Sequence, residues 1–423
     1  MKIAMAVLGS RGDIQPMALL GSELAARGHE VSLSTPPDLT DFGEALGLAT
    51  FPMGQPAQDF LRSSEGQRWL SHATDRREYM AGLLAYKRAS ANSLISVLSS
   101  QVRGADIVVS GLSTELEAAC MAEAQNIPLA CVHHSPVRPN RSYPSPLFHQ
   151  YRYPSPVNLY THWLADQTER RFGSGYMAEV RRRIGLPEFT GSPSEIVSRM
   201  SALDIQAYSQ QLVGRLHHWG DNRPFAGFIR PSREQQTFLS TTEDNTNFLS
   251  WLDADEPPAY FGFGSMPVQD LPALLRLVNE VSKRLGIRAL VGAGWSATED
   301  PWESLVDPAR IQVVGRINHE AVLPRCQFAV HHGGAGTTEV SIRSGLPTII
   351  CPVAFDQPFW GRRLEQLKVG RMIPLSELAI DNLLRAIRKV NTPEAHSRVL
   401  RLAKSLSSED GRSAAADHLE TLV

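Results

Sequence analysis

Short apolar runs alternate with segments of helical period along most of this chain, and the alternation occurs twice. Residues 2–8 form an apolar run that ends in Gly9-Ser10-Arg11-Gly12, after which Met17, Leu20, Leu24 and Ala25 recur at helical spacing up to Arg27-Gly28. Residues 30–35 alternate as a strand, Pro36-Pro37-Asp38 opens another helix, and 106–110, 115–125 and 128–133 repeat the strand–helix–strand theme. A Pro-rich loop over 136–146 and an aromatic stretch with Tyr151, Tyr153, Tyr160, Trp163 and Phe172 follow. At 259 the alternation restarts, with strand-like stretches at 259–263, 288–292, 311–314, 327–331 and 347–352 and helical ones near 271–286, 319–325, 335–344 and 357–369. Such a pattern predicts an α/β protein with parallel sheets covered by helices on both faces. A chain of 423 residues also exceeds the size at which one hydrophobic core keeps growing. The expectation is two Rossmann-like, doubly wound domains facing a central cleft: 1–220, a polar, turn-rich linker at 221–258, 259–405, and a terminal helix over 406–423 that packs back on the first domain.

Composition narrows the function. With a formal net charge of -2 and no basic stripe, the chain lacks the electrostatic footprint of a nucleic-acid binder. Its four cysteines form no CxxC pair, which predicts reduced thiols in a cytoplasmic protein rather than a zinc site or a disulfide framework. No run of ~18 apolar residues predicts a membrane span. The first residues read as a buried strand rather than a secretory signal. Asp253-Ala254-Asp255 matches a three-residue metal-binding pattern, but it lies in the linker and is short enough to arise by chance, so no metal and no cofactor are expected.

The strongest chemical signal is His331-His332-Gly333-Gly334-Ala335-Gly336-Thr337-Thr338, which follows a strand and opens a helix. Glycines let a backbone approach phosphate closely, and a helix N-terminus offers unpaired N–H groups and the positive end of a dipole. The run is neither a Walker loop nor a dinucleotide fingerprint. In the first half, Asp13 stands where the first strand meets the first helix. A carboxylate there can take a proton from an attacking hydroxyl, and it can equally cap a helix beginning near Gln15 with Pro16 in its first turn. Ser10 can contact a donor phosphate or the acceptor.

From Val313 the order is Val-Val-Gly-Arg-Ile-Asn-His-Glu-Ala-Val-Leu, then the His-His-Gly-Gly-Ala-Gly-Thr-Thr-Glu run, Ser-Gly-Leu-Pro, and Cys-Pro-Val-Ala-Phe-Asp-Gln-Pro-Phe-Trp. This closely resembles the donor-binding signature of the two-domain UDP-glycosyltransferase superfamily, family 1, over 313–370, with further agreement near 261–265 and at the N-terminus. The run around Asp13 resembles that of sterol glucosyltransferases and glycopeptide-antibiotic glycosyltransferases, whose aligned aspartate is the proposed base. Plant secondary-product members have a histidine in that region instead. The resemblance implies a GT-B fold. It implies that Arg316, Ile317 and Asn318 flank the nucleotide base, with Arg316 where plant members have a stacking Trp. It further implies that either His331 or His332 bonds the diphosphate together with Gly334, Ala335, Gly336 and Thr337. Gly264 and Ser265 would approach phosphate, and Asp356 and Gln357 would hold sugar hydroxyls unless Asp356 only caps its helix. His133, His134, Tyr153 and Trp163 are candidates for an acceptor pocket.

The function implied is inverting, metal-independent transfer of a hexose from a nucleotide-diphosphate sugar (UDP-glucose or another UDP- or dTDP-hexose) to a hydroxyl of a lipophilic small molecule such as a sterol or polyketide. Membrane contact would arise only peripherally, with a lipid acceptor. The rival readings are an epimerase or hydrolase of nucleotide sugars on the same fold, and a non-catalytic nucleotide-sugar-binding partner protein.

Overall fold

The computed structural model describes residues 1–72, 75–148, 153–216, 219–239, 246–263, 270–294, 303–315 and 317–422. The chain divides into two compact units, Met1–Gln235 together with Glu409–Val423, and Gln236–Ser408.

In the first unit six strands form one parallel sheet: β1 (Lys2–Ala6), β2 (Glu30–Thr35), β3 (Ala49–Pro52), β4 (Ile107–Gly111), β5 (Leu129–His133) and β6 (Ser201–Gln206), in the order β3-β2-β1-β4-β5-β6. Every residue of β4 and β5 is buried, as expected of central strands covered on both faces. The helix Arg11–Ala26 connects β1 to β2 and buries Ile14, Met17, Leu20 and Leu24. It starts at Arg11 rather than near Gln15, because Ser10 is the N-cap and forms a capping box with Asp13. Pro16 therefore sits inside the helix, where it has no N–H to donate to the Gly12 carbonyl.

The Gly411–Glu420 helix lies along this first helix. Arg27 Nη1 reaches Asp417 at 2.6 Å and Glu420 at 3.0 Å, while its Nη2 donates to Ser413 Oγ at 2.8 Å. At Gly411 a Cβ would come within 2.4 Å of the Phe228 carbonyl, so only glycine lets the returning chain approach the 227–228 backbone.

The second unit repeats the plan with β7 (Ala259–Gly262), β8 (Ala289–Gly292), β9 (Ile311–Val314), β10 (Ala329–His331), β11 (Thr348–Ile350) and β12 (Gly370–Met372), in the order β12-β11-β10-β7-β8-β9. Successive β7 side chains enter opposite cores. Phe261 packs with Leu275, Val291 and Ile387, and Tyr260 with Leu290, Ala329 and Val340. Counted from its own first strand, each sheet has the doubly wound order 3-2-1-4-5-6, with the reversal between β1 and β4 in one unit and between β7 and β10 in the other. Part of the stretch read from sequence as a linker is helical, over Thr246–Ala254.

Candidate functional site

In open parallel sheets, ligands bind outside the carboxyl ends of the strands at the point where strand order reverses. Ser10 and Asp13 stand there in the first unit. The Ser10 N–H donates to Asp13 Oδ2 at 2.9 Å, and the Ser10 hydroxyl reaches the same oxygen at 3.3 Å. Gly9 makes room for the carboxylate: its φ is +133°, and a Cβ would lie 2.3 Å from Asp13 Oδ2. Asp13 is half-buried, and burial outweighs the Ser10 hydrogen bonds, so its pKa is pushed up to about 6. The carboxylate thus closes the helix cap while its pKa is raised toward neutrality.

Beside it, the loop after β4 is stapled to the end of β1. Leu8 N–H donates to Ser113 Oγ at 3.2 Å, and Thr114 Oγ1 donates to the Ala6 carbonyl at 2.8 Å. This holds Leu112, 53% exposed, next to the Asp13 end. Nothing in the sequence singled out Leu112, since an apolar residue after Gly111 reads as the strand running on.

The acceptor candidates separate. His133 is fully buried; its Nε2 lies 2.5 Å from Glu115 Oε1, and Arg138 donates to both Glu115 (3.0 Å) and Asp204 (2.9 Å). Burial raises Glu115, but Arg138 and then His133 outweigh it and hold the carboxyl below its ordinary range. Glu115, Cys131 and His133 have metal-ligand spacing, yet the Arg138 guanidinium and the His133 ring already occupy the Glu115 carboxylate. This cluster is a brace across the ends of β4, β5 and β6. His134 is half-buried, and burial lowers its pKa to about 4. Tyr153 is half-buried as well. Trp163 is 53% exposed and stacks on Tyr160 with ring centroids 5.3 Å apart, on the helix Ser155–Arg183.

In the second unit β10 ends at His331, which pairs in register with Gly262 of β7, so the glycine-rich run begins at the reversal point of that sheet. Gly333 has φ +95°, and a Cβ there would lie 2.4 Å from Ile350. Gly334 is the N-cap of the helix Ala335–Arg343, and no side chain caps it. The first N–H groups of that helix, at Ala335, Gly336 and Thr337, have no acceptor within the helix. His331 is fully buried. His332 is half-buried, with its Nδ1 sealed and lacking a hydrogen-bond partner. Burial lowers the His332 pKa to about 4, and the Gly262 carbonyl offsets this only in part. Thr338 Oγ1 is a second sealed polar atom without a partner. The uncapped helix start leaves the N–H groups of Ala335, Gly336 and Thr337 as donors of the kind that bind anions.

Asp356 occupies the N-cap position of Gln357–Leu367, but its carboxylate accepts from Trp360 Nε1 at 3.0 Å instead of capping the helix. Gln357 Oε1 accepts from the N–H groups of Val353 (2.7 Å) and Ala354 (3.1 Å), which shapes the loop before it. Just before Asp356, Phe355 holds φ +60° and is 40% exposed, a strained backbone for an aromatic residue. Ile317 is buried, and Asn318 caps the helix His319–Val322. Gly264, Ser265 and Arg316 lie outside the described residues.

Residues 3–83 match the family described as Glycosyltransferase family 28 N-terminal domain, and residues 299–421 match Erythromycin biosynthesis protein CIII-like, C-terminal domain. An uncharacterized glycosyltransferase of Mycobacterium tuberculosis is 34% identical over 427 residues, 99% of this chain and 98% of its own. A sterol 3-beta-glucosyltransferase of Arabidopsis thaliana is 27% identical, over 99% of this chain and 67% of its own. The solved glycosyltransferase VinC in complex with dTDP superposes with a TM-score of 0.67 at 15% identity, covering 100% of this chain and 99% of that one. Two parallel-sheet units with the same doubly wound order define the GT-B architecture. The chain belongs to the family 1 glycosyltransferases of that fold, and is a transferase.

Proposed function

We propose that the chain is an inverting, metal-independent hexosyltransferase that uses a UDP- or dTDP-hexose and glycosylates a hydroxyl of a sterol, polyketide or other lipophilic natural product. The observation that carries this reading is Asp13: a half-buried carboxylate seated by Gly9, with its pKa near 6. At neutral pH it is ionised yet basic enough to accept a proton, as a general base requires. As the acceptor oxygen attacks the anomeric carbon, its proton passes to Asp13. The bond to the diphosphate breaks on the opposite face, which inverts the centre. The N–H groups of Ala335, Gly336 and Thr337, with His332, take up the charge on the leaving phosphate; one such preorganised donor is worth roughly 10²–10³ in kcat. Asp356 and Gln357 hold the sugar, and Trp163, His134, Tyr153 and Leu112 contact the acceptor. The VinC complex and the sterol specificity of the Arabidopsis relative support the choices of nucleotide and acceptor class.

The test is a mass-spectrometric screen of UDP- and dTDP-hexoses against an aglycone panel, with NMR of the product's anomeric configuration. A β-glycoside from an α-linked donor is expected, and His332→Ala should lower turnover roughly 10²-fold. An α-glycoside removes the mechanism, and release of free or epimerised sugar without an acceptor removes the transfer reading.

A further inference from the structure

His331 and His332 are neighbours in sequence but face different surroundings, because β10 ends between them. His331 points into the core and has no exposure. A fully buried imidazole is costly unless its ring nitrogens are satisfied, and both are. Gly333 N–H donates to His331 Nδ1 at 3.0 Å, and His331 Nε2 lies 3.3 Å from Ser341 Oγ, whose hydroxyl donates to the Thr337 carbonyl at 2.8 Å. Because that hydroxyl proton is committed to Thr337, Ser341 Oγ must accept from Nε2–H, and Nδ1 must be the bare acceptor. The ring is therefore a neutral imidazole in one tautomer, and the bonds run in one direction from Gly333 through His331 and Ser341 to Thr337.

We propose that His331 is a positioning residue for diphosphate binding, acting through this chain. It spans the loop from the peptide joining His332 and Gly333 to the first turn of the following helix. It fixes the plane that carries the His332 ring, and it turns the Gly333 N–H inward, leaving the N–H groups at 335–337 as the loop's outward donors. The bond from Ser341 to Thr337 alone is the ordinary back-bond of a helical serine. The link through His331 to the glycine turn gives it reach into the loop. This inference rests on the nucleotide-sugar reading of that loop.

The test is calorimetry of the full chain with UDP, dTDP and the two free nucleosides. His331→Phe and Ser341→Ala should each weaken the diphosphates about tenfold, the loss expected for one strained or unpaired buried hydrogen bond. Nucleoside affinity should stay unchanged, a split that general loosening of the fold would not give. His331→Asn keeps an acceptor for the Gly333 N–H but cannot reach Ser341, so it should lose about as much diphosphate affinity as Ser341→Ala. The double variant should be little worse than His331→Phe, because the two residues act in one chain. Should His331→Phe not fold, Ser341→Ala decides alone. Unchanged UDP and dTDP affinity in the folded variants, or equal loss for nucleosides and diphosphates, overturns the inference. A wild-type chain that binds neither UDP nor dTDP overturns the donor reading, and this inference with it.

Discussion

The Asp13 carboxylate closes a capping box and, in the proposed mechanism, accepts the substrate's proton. The two roles separate on substitution. Asp13→Asn keeps an oxygen for the Ser10 N–H, so the fold should survive while turnover falls by roughly 10²–10⁴. Asp13→Ala should lose activity and, in addition, the reciprocal bond of the capping box, which Asp13→Asn keeps in part. With the carboxyl raised to about 6, the acidic limb of kcat/KM against pH should bend near 6; a limb near 4 would mean that burial does not tune this group. Gly9→Ala tests the seat itself. The new methyl would have to displace the Asp13 carboxylate at a φ that disfavours any side chain, so activity should fall with little change in nucleotide affinity. Unimpaired turnover would show that the position of the carboxylate does not matter.

Among elements, the pairing of the first and last helices hangs on Arg27, whose guanidinium serves Glu23, Ser413, Asp417 and Glu420. Arg27→Ala should cost about 1–2 kcal/mol, since several charge-assisted bonds go at a partly buried site. Amide exchange should quicken over Gly411–Glu420 before the central strands respond; uniform exchange would show that the helix is held by its apolar face alone. The architecture was largely legible, because buried parallel strands read as apolar runs between helical periods. The strand Gly370–Met372 was not, since three residues with an arginine at the centre carry no such run. The helix Thr246–Ala254 hid in a polar, turn-rich stretch. Of the candidate site, the glycine-rich run and Asp13 were visible as motifs at strand ends. The Glu115–His133–Arg138–Asp204 brace was not, because its hydrogen-bonded pairs lie 18 to 66 residues apart and meet only through strand order. The difference between His331 and His332 was also invisible, because it depends on where β10 stops.

Across the whole molecule, histidines desolvated by the fold contribute to the response to acid. Burial lowers His134, His162 and His332 to about 4 and His331 well below its ordinary value. Below about pH 6.5 the unfolded chain takes up protons that these folded rings refuse, so stability falls as pH drops from 6.5 toward 4. Asp13 and Glu169 oppose this. Their carboxyls are raised to about 6 and about 7, so their contribution is full below the unfolded carboxylate range and lost as pH rises through those values. The histidines outnumber them. The melting temperature should therefore decline across pH 6.5 to 4, and His162→Gln should make the decline shallower; a flat profile would show that the rings protonate in place.

The segment Glu409–Val423 belongs with the unit that begins the chain, while Gln236–Ser408 forms the other. The second unit is thus inserted into the first, and this has a consequence for biosynthesis. During translation the opening unit emerges without its final helix and waits until the whole inserted unit has left the ribosome. The inserted unit is contiguous, so it can close as soon as it is made. The unit whose synthesis starts first thus receives its last segment only after residues 236–408 have been made.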